Sequence, residues 1–429
     1  MRKLFYIDDT MANKISYWHL VAFLVALPFD FLYSEIILAG FFLHTLIHLR
    51  KSDLRSLLRK EVLVLISIYG VGLLSLTYSS DKQEGVNIAA RQLAILLFPV
   101  LFALNGFDAN KYRDRLFSFF VITCTATMIY LYADALITIQ YFHLPASSLF
   151  TLAFMNHNFS LPIEMHATYL SMYVAFSIIV LIFRITNKKW DSINWLHLCC
   201  LFVLILGLLQ LSSRSVFIAL LLIINIVFPI MVFTGKQRTR FIFVSLLLSG
   251  LALYAIFNIN SFRIRYVSEL RKDLTQKSDL IEVNESRIAR WKATLELIRG
   301  SPLIGYGLGS EKKLLKDKYF EKKLFTSFLN EFNSHSEYLS FLLKNGILGL
   351  LLFIYVLYTG FRISYRQKDM LFLSFMLLVS IVAVSENILD LNKGIFFYSF
   401  FFSLFLIRRE APGLIEKQVL ATSTGNRSR

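Results

Sequence analysis

Twelve runs of apolar residues, each near the length that crosses a lipid bilayer, constrain this chain more than any other feature. They lie at about 17–33, 34–49, 61–78, 87–105, 116–140, 164–183, 195–211, 215–234, 241–258, 336–359, 369–389 and 395–407. A spanning helix needs roughly 20 such residues. The first two runs are the most interrupted, by Pro28, Asp30 and Glu35. Composition agrees: 56% of the residues are hydrophobic, 41 are Phe, and only 17% are charged. A soluble core has no room for that much apolar surface, whereas lipid solvates helices that are apolar all round. The expected fold is all-α, a polytopic membrane protein of twelve transmembrane helices.

Lys and Arg set its orientation. With the N-terminus in the cytoplasm, the basic clusters Arg2/Lys3/Lys14, Arg50–Lys60, Lys111–Arg115, Arg184–Lys189, Lys236–Arg240 and Arg362–Lys368 all fall on the cytoplasmic side. The tail adds Arg408, Arg409, Lys417, Arg427 and Arg429, while 141–163 has no Lys or Arg. This is the positive-inside pattern. It explains the net charge of +16 without a nucleic-acid partner. No cleavable signal follows the charged N-terminus, so the first helix is expected to direct its own insertion. Cys124, Cys199 and Cys200 sit in apolar runs and form neither a disulfide framework nor a metal pair.

The implied organisation is helices 1–9 over 1–258, a long outer loop over 259–335, helices 10–12 over 336–410, and a cytoplasmic tail over 411–429. A loop of that length is functional or disordered. In SRIARWKATLELIRG, Ile288, Trp291, Leu295 and Ile298 recur at helical spacing, and Gly300 and Pro302 end the pattern. The spacing predicts an amphipathic helix with Trp291 suited to the membrane interface. Walker, dinucleotide-binding and HExxH motifs are absent from the sequence.

Charges at membrane depth are costly, and each is a functional candidate. Arg214 occupies a tight turn between two apolar runs; snorkelling to head groups would equally explain it. Arg287, Arg290 and Trp291 open the amphipathic helix, where guanidinium groups suit a diphosphate; a basic face on anionic lipid is the plainer reading. Gly305, Gly307 and Gly309 alternate and permit close backbone approach, as does any simple loop. His335 stands near a helix N-terminus, where imidazole and backbone N–H groups combine, although a lone histidine more often bonds locally. Arg91, Glu164, His166, Glu386 and Asn387 are further candidates, each as well suited to holding helices together.

In order and spacing these residues resemble the O-antigen ligase family, which includes the O-antigen polymerases. The resemblance rests on the Ser212-Ser213-Arg214 turn, Arg287-x-x-x-Trp291, the stretch Pro302 to Gly309, and His335-x-x-Tyr338-Leu339 running to Gly346 and Gly349. His166 lies in a second His-x-x-Tyr stretch. Two positions depart from the family pattern. Ser336 follows the histidine where Asn is common, and Lys344-Asn345 stands where an acid often precedes the glycine.

The resemblance implies a metal-independent membrane glycosyltransferase needing no cofactor, in the inner membrane with its site facing the periplasm. The donor would be a glycan on undecaprenyl diphosphate. The acceptor would be a sugar hydroxyl of lipid A-core for a ligase, or a second lipid-linked glycan for a polymerase. Arg214 and Arg287 would stabilise the leaving diphosphate and His335 would activate the hydroxyl. Arg91, Arg290, Trp291, Tyr338 and His166 would bind substrate. A small-anion transporter and an envelope scaffold are the competing classes. No internal repeat supports the former, and the latter would need none of the arginines.

Overall fold

The computed structural model describes residues 5–187, 195–274 and 285–407. The expected tail at 411–429 and the basic residues Arg2, Lys3, Lys188, Lys189, Arg408 and Arg409 lie outside them. Each apolar run read from the sequence contains helix, although 17–33 is split between two helices and 369–389 is helical only to Val382, and the described residues contain no strand. The helices that frame the site are α1 (Met11–Ala26), α2 (Phe31–Ile47), α3 (Lys60–Leu76), α4 (Lys82–Arg91), α5 (Leu93–Leu104), α6 (Arg113–Tyr141), α7 (Ala167–Thr186) and α8 (Trp195–Leu211). Then come α9 (Arg214–Leu222), which continues through a π turn to Val232, and α10 (Gly235–Asn258). A cap follows, with helical turns from Asn260 to Leu274, α11 (Arg287–Ile298), α12 (Ser310–Glu321) and α13 (Phe325–Leu329). The chain closes with α14 (Glu337–Arg366), α15 (Met370–Val382) and α16 (Asn392–Leu406).

Among the described residues, six helical stretches are long and apolar enough to cross a membrane, among them α6, α7, α10 and α14. Shorter apolar helices such as α8, α15 and α16 pack among them. This is a multi-pass membrane protein. At about 1.5 Å per residue, α6 alone is roughly 43 Å long, more than a bilayer's hydrocarbon depth. The abundant Phe forms the contacts between helices. Phe396, Phe397, Phe400, Phe401, Phe402 and Phe405 of α16 are all buried, meeting Phe23, Phe98, Phe117, Phe176 and Phe375. By contrast α10 buries little but Ser245 and Ile256 and exposes Phe243, Leu247, Leu251 and Tyr254, a surface that only lipid would solvate well.

Polar residues begin several helices where the apolar pattern starts. Thr10, Asp30, Asp81 and Asp369 each accept a bond from the first turn of α1, α2, α4 and α15. The first run, read as 17–33, is therefore divided between α1 and α2, with Asp30 capping the second helix. One end of the bundle gathers the basic segments: Arg113 pairs with Asp369, Arg115 donates to the Tyr6 carbonyl and Asn110 to the Ile407 carbonyl.

The cap is built as a small core of Ala293, Ile298, Leu315, Tyr319 and Leu343. Here α11 departs from the expected stripe. It buries Arg290, Ala293, Thr294 and Ile298 and leaves Leu295 exposed. The helix turns its inner face toward α12 and α14, so packing, not lipid, sets its rotation.

α14 is broken at Gly346, where φ is +62°. The break turns the Leu343 and Lys344 carbonyls away from the helix, and the glycine-alternating loop repairs it. The Tyr306 and Gly307 N–H groups donate to those carbonyls at 2.9 and 2.8 Å, and the Ile347 N–H donates to Pro302 at 2.9 Å. A side chain at Gly305 would begin 2.6 Å from the Leu343 oxygen. The glycines permit close backbone approach, and what they approach is this protein's own helix. Gly307 and Gly309 press in the same way on the corner between α3 and α4.

Candidate active site

Arg214 opens α9 directly after Ser212, whose φ of +50° folds the chain back from α8. Its Nη2 donates to Asp273 at 2.6 Å, and its Nη1 is buried with no hydrogen-bond partner among the described residues. Arg287 opens α11, where Ser286 caps the helix by accepting from the Ala289 N–H. The Arg287 guanidinium reaches three ways: Nε lies 3.6 Å from Asp273, Nη2 lies 3.5 Å from Glu386, and Nη1 donates to the Ser385 carbonyl at 3.0 Å.

Glu386 follows α15 in a buried link. Its second carboxylate oxygen is 3.6 Å from His335 Nδ1, and the Thr168 hydroxyl donates to its first at 3.5 Å. Burial by itself would raise this carboxyl. The neighbouring His335, His166 and Arg287 pull against burial and hold it below the ordinary carboxylate range.

His335 has φ +48°, a left-handed conformation that costs a non-glycine residue on the order of 1 kcal/mol. Its neighbours hold it there. The Ser334 N–H donates to Glu311 at 3.0 Å, the His335 N–H to Asn333 at 3.1 Å, and the Ser336 N–H to Asn387 at 2.7 Å. Glu311 is itself held by Lys344, whose buried ammonium lies 3.0 Å from it and 2.8 Å from Asp390. Burial would raise the Glu311 carboxyl; Lys344 and the bonds from Ser340 and Ser334 bring it to about 2.

His166 caps α7, its Nδ1 accepting from the Thr168 N–H at 3.3 Å. Burial pulls the ring down to about 4 against the opposing charge of Glu386, with His157, His335 and Arg287 adding to the fall. It also lines a cavity of about 1280 Å³. The walls are largely apolar, with Phe42, Leu97 and Phe396 among them, and Asp30, Glu35, Glu164, Arg91, His166 and Lys393 supply polar groups. Arg91 is paired with Glu84 at 2.9 Å.

Arg214, Arg287, His335 and His166 thus converge from four separate elements, and Arg91 joins His166 at the cavity. Residues 199–354 match the family model described as O-antigen ligase. Over this segment the chain is similar to the O-antigen ligase family, which supports the resemblance read from the motifs. No curated protein matches it. O-antigen ligases and polymerases are membrane enzymes of glycan transfer, acting in general on a lipid-linked glycan and, for ligases, a lipid A-core acceptor.

Three of the side chains expected to bind substrate also have structural partners. The Trp291 indole donates to the Ser334 carbonyl at 3.0 Å, and the Tyr338 hydroxyl to the Ser380 carbonyl at 3.0 Å. Arg290 is buried with its guanidinium 5.1 Å over the Phe332 ring. Asp273, Glu311 and His157 are the residues that sequence reasoning did not single out. Among the described residues, no group of three or more His, Cys, Asp or Glu side chains could hold a metal ion.

Proposed function

We propose that this protein transfers a glycan from undecaprenyl diphosphate to a sugar hydroxyl of lipid A-core, at the periplasmic face of the inner membrane. All twelve apolar helices would cross that membrane, with both termini cytoplasmic. One observation carries the reading: two arginines and a histidine–carboxylate pair share one end of the bundle, beside an apolar cavity.

The roles follow from charge. The acceptor oxygen forms its bond to the anomeric carbon as the bond from that carbon to the diphosphate breaks, inverting the centre. The diphosphate leaves with the electron pair, and Arg214 and Arg287 stabilise the negative charge it gains. His335 takes the hydroxyl proton as general base. Glu386, already ionised, stabilises the imidazolium that forms. Two guanidinium groups supply the charge that a metal ion would otherwise provide. The cavity, larger than the 300–1,000 Å³ or so of ordinary ligand pockets, suits the polyprenyl chain, with its polar groups toward the diphosphate.

A polymerase would use the same donor and arginines and differ in its acceptor. Deleting the gene and resolving lipopolysaccharide on a gel, with lipid-linked glycan extracted in parallel, separates the two. Loss of the ladder with polymer accumulating on undecaprenyl diphosphate identifies a ligase. Lipid A-core bearing a single repeat identifies a polymerase. Unchanged lipopolysaccharide, or full complementation by properly inserted His335→Ala or Arg287→Ala protein, would refute the proposed activity or mechanism respectively.

A further inference from the structure

We propose that Asp273 is a displaceable occupant of the two-arginine site, holding the place of the donor's diphosphate until substrate arrives and re-entering to expel the diphosphate product. The inference rests on the proposed function, since it takes the two arginines as the diphosphate site.

One carboxylate oxygen of Asp273 serves both guanidinium groups, 2.6 Å from Arg214 Nη2 and 3.6 Å from Arg287 Nε. A bridging phosphate oxygen would make the same pair of contacts. The fit is incomplete, because Arg214 Nη1 is buried with no hydrogen-bond partner among the described residues. A buried donor without an acceptor calls for an explanation. A diphosphate brings several acceptor oxygens where Asp273 offers two, so it can satisfy the donor that Asp273 leaves over.

The ion pairs say which group must move. Arg214 and Arg287 face the carboxylates of Asp273 and Glu386, with buried Arg290 also acting on Arg287 and Asp273. A diphosphate entering the site finds both guanidinium groups already engaged by carboxylates, and one of these must withdraw. Glu386 is the fixed one: it is 8% exposed and held by His335, Arg287 and Thr168. Asp273 sits on the short helix Glu269–Leu274, and among the described residues its ion pairs are with the two arginines. Beside it, Glu269 is engaged by Arg265 of the preceding turn, so that acid cannot take Asp273's place.

The arrangement helps turnover. Two desolvated arginines that grip a leaving diphosphate strongly also release it slowly, and product release limits many enzymes. A tethered carboxylate at high effective concentration competes for the same guanidinium groups. If Asp273 fills the site nine-tenths of the time, apparent diphosphate affinity falls about tenfold.

The test is calorimetric titration of the detergent-solubilised full chain with farnesyl diphosphate, a short polyprenyl diphosphate. Asp273→Asn and Asp273→Ser should bind it about tenfold more tightly than wild type, and Arg287→Ala should bind it far more weakly. In the wild type, hydrogen–deuterium exchange over 260–274 should quicken when the diphosphate binds. Unchanged or weaker binding by both Asp273 variants, with Arg287→Ala still impaired, overturns displacement and leaves the diphosphate site standing. Slower exchange over 260–274 on binding also overturns it. If neither wild type nor the Asp273 variants bind, the diphosphate site itself fails and displacement fails with it.

Discussion

Lys344→Met should expose how the cap is held to the bundle. The Lys344 ammonium is almost fully buried and bridges Glu311 at 3.0 Å and Asp390 at 2.8 Å. Replacing it with a similar apolar volume leaves two carboxylates facing each other without a cation. Breaking a buried pair in this way costs about 3–5 kcal/mol. With an unfolding entropy of about 2.1 cal/mol/K per residue, this chain of 429 residues should lose roughly 3–6 °C in Tm. The informative variant is the triple Lys344→Met, Glu311→Gln, Asp390→Asn. It removes every charge of the bridge; the new amide keeps an acceptor oxygen for the Ser334 N–H, and its NH2 donates to the Ser340 hydroxyl, which in the wild type donates to Glu311. Replacing a whole buried ion cluster by neutral groups is often close to neutral, so the triple variant should melt within about 2 °C of wild type. Thermal melts of detergent-solubilised protein decide the matter. A triple variant that is destabilised by the sum of its three single changes would refute the reasoning, because the cost would then lie in packing and not in uncompensated charge.

Three further outcomes follow from the geometry. Glu386→Gln should lower kcat by about 10²-fold, the lower end of what acid–base assistance contributes, with KM for the lipid-linked donor little changed; an unaltered kcat in a transferase assay would remove Glu386 from the reaction. Gly346→Ala should abolish folded protein, since the added carbon meets the Leu303 carbonyl at φ +62°, whereas Gly250→Ala, with open space around it, should express normally; size-exclusion yield of the two reports the difference. His166 should make the fold acid-sensitive. Burial holds its pKa at about 4 against an ordinary 6.5, so the native state binds fewer protons than the unfolded one. Its contribution is complete above about pH 6.5 and is lost as pH falls toward 4, at most about 1.4 kcal/mol per pH unit. His166→Asn, which keeps a capping acceptor, should flatten the melting temperature over that range; an acid slope equal to wild type would count against it.

Much of this was readable from the chain because lipid imposes a simple rule. Apolar runs of bilayer length became helices, and Arg214, Arg287 and His335 stood out as the costly or oddly placed groups that the structure then gathers. Glu386 was visible for the same reason, as an acid within the eleventh apolar run, although the helix there ends at Val382, and Arg287 is its partner. The rule has no purchase in the polar cap. An aspartate at 273 among many charged residues carries no signal until the fold brings Arg214 and Arg287 to it. The rotation of α11 was misjudged because Leu295 was weighed by hydrophobicity, whereas the neighbours it would meet are decided by α12 and α14. Lys344 read only as a departure from a family pattern; its two carboxylate partners are 33 and 46 residues away.

The mended break in α14 also bears on how the protein is made and remade. Residues 302–309 leave the ribosome before the helix they repair, and they rest on the corner between α3 and α4, with Tyr78 donating to the Ile304 carbonyl at 2.7 Å. A nascent α14 therefore meets a splint already seated on older parts of the chain, and needs it, because stray carbonyls in a lipid setting have no other donor. The same dependence defines what can be transplanted between homologues. A chimera that exchanges the cap alone would separate splint from fracture; one that carries 75–85, 302–309 and 337–349 together keeps them matched.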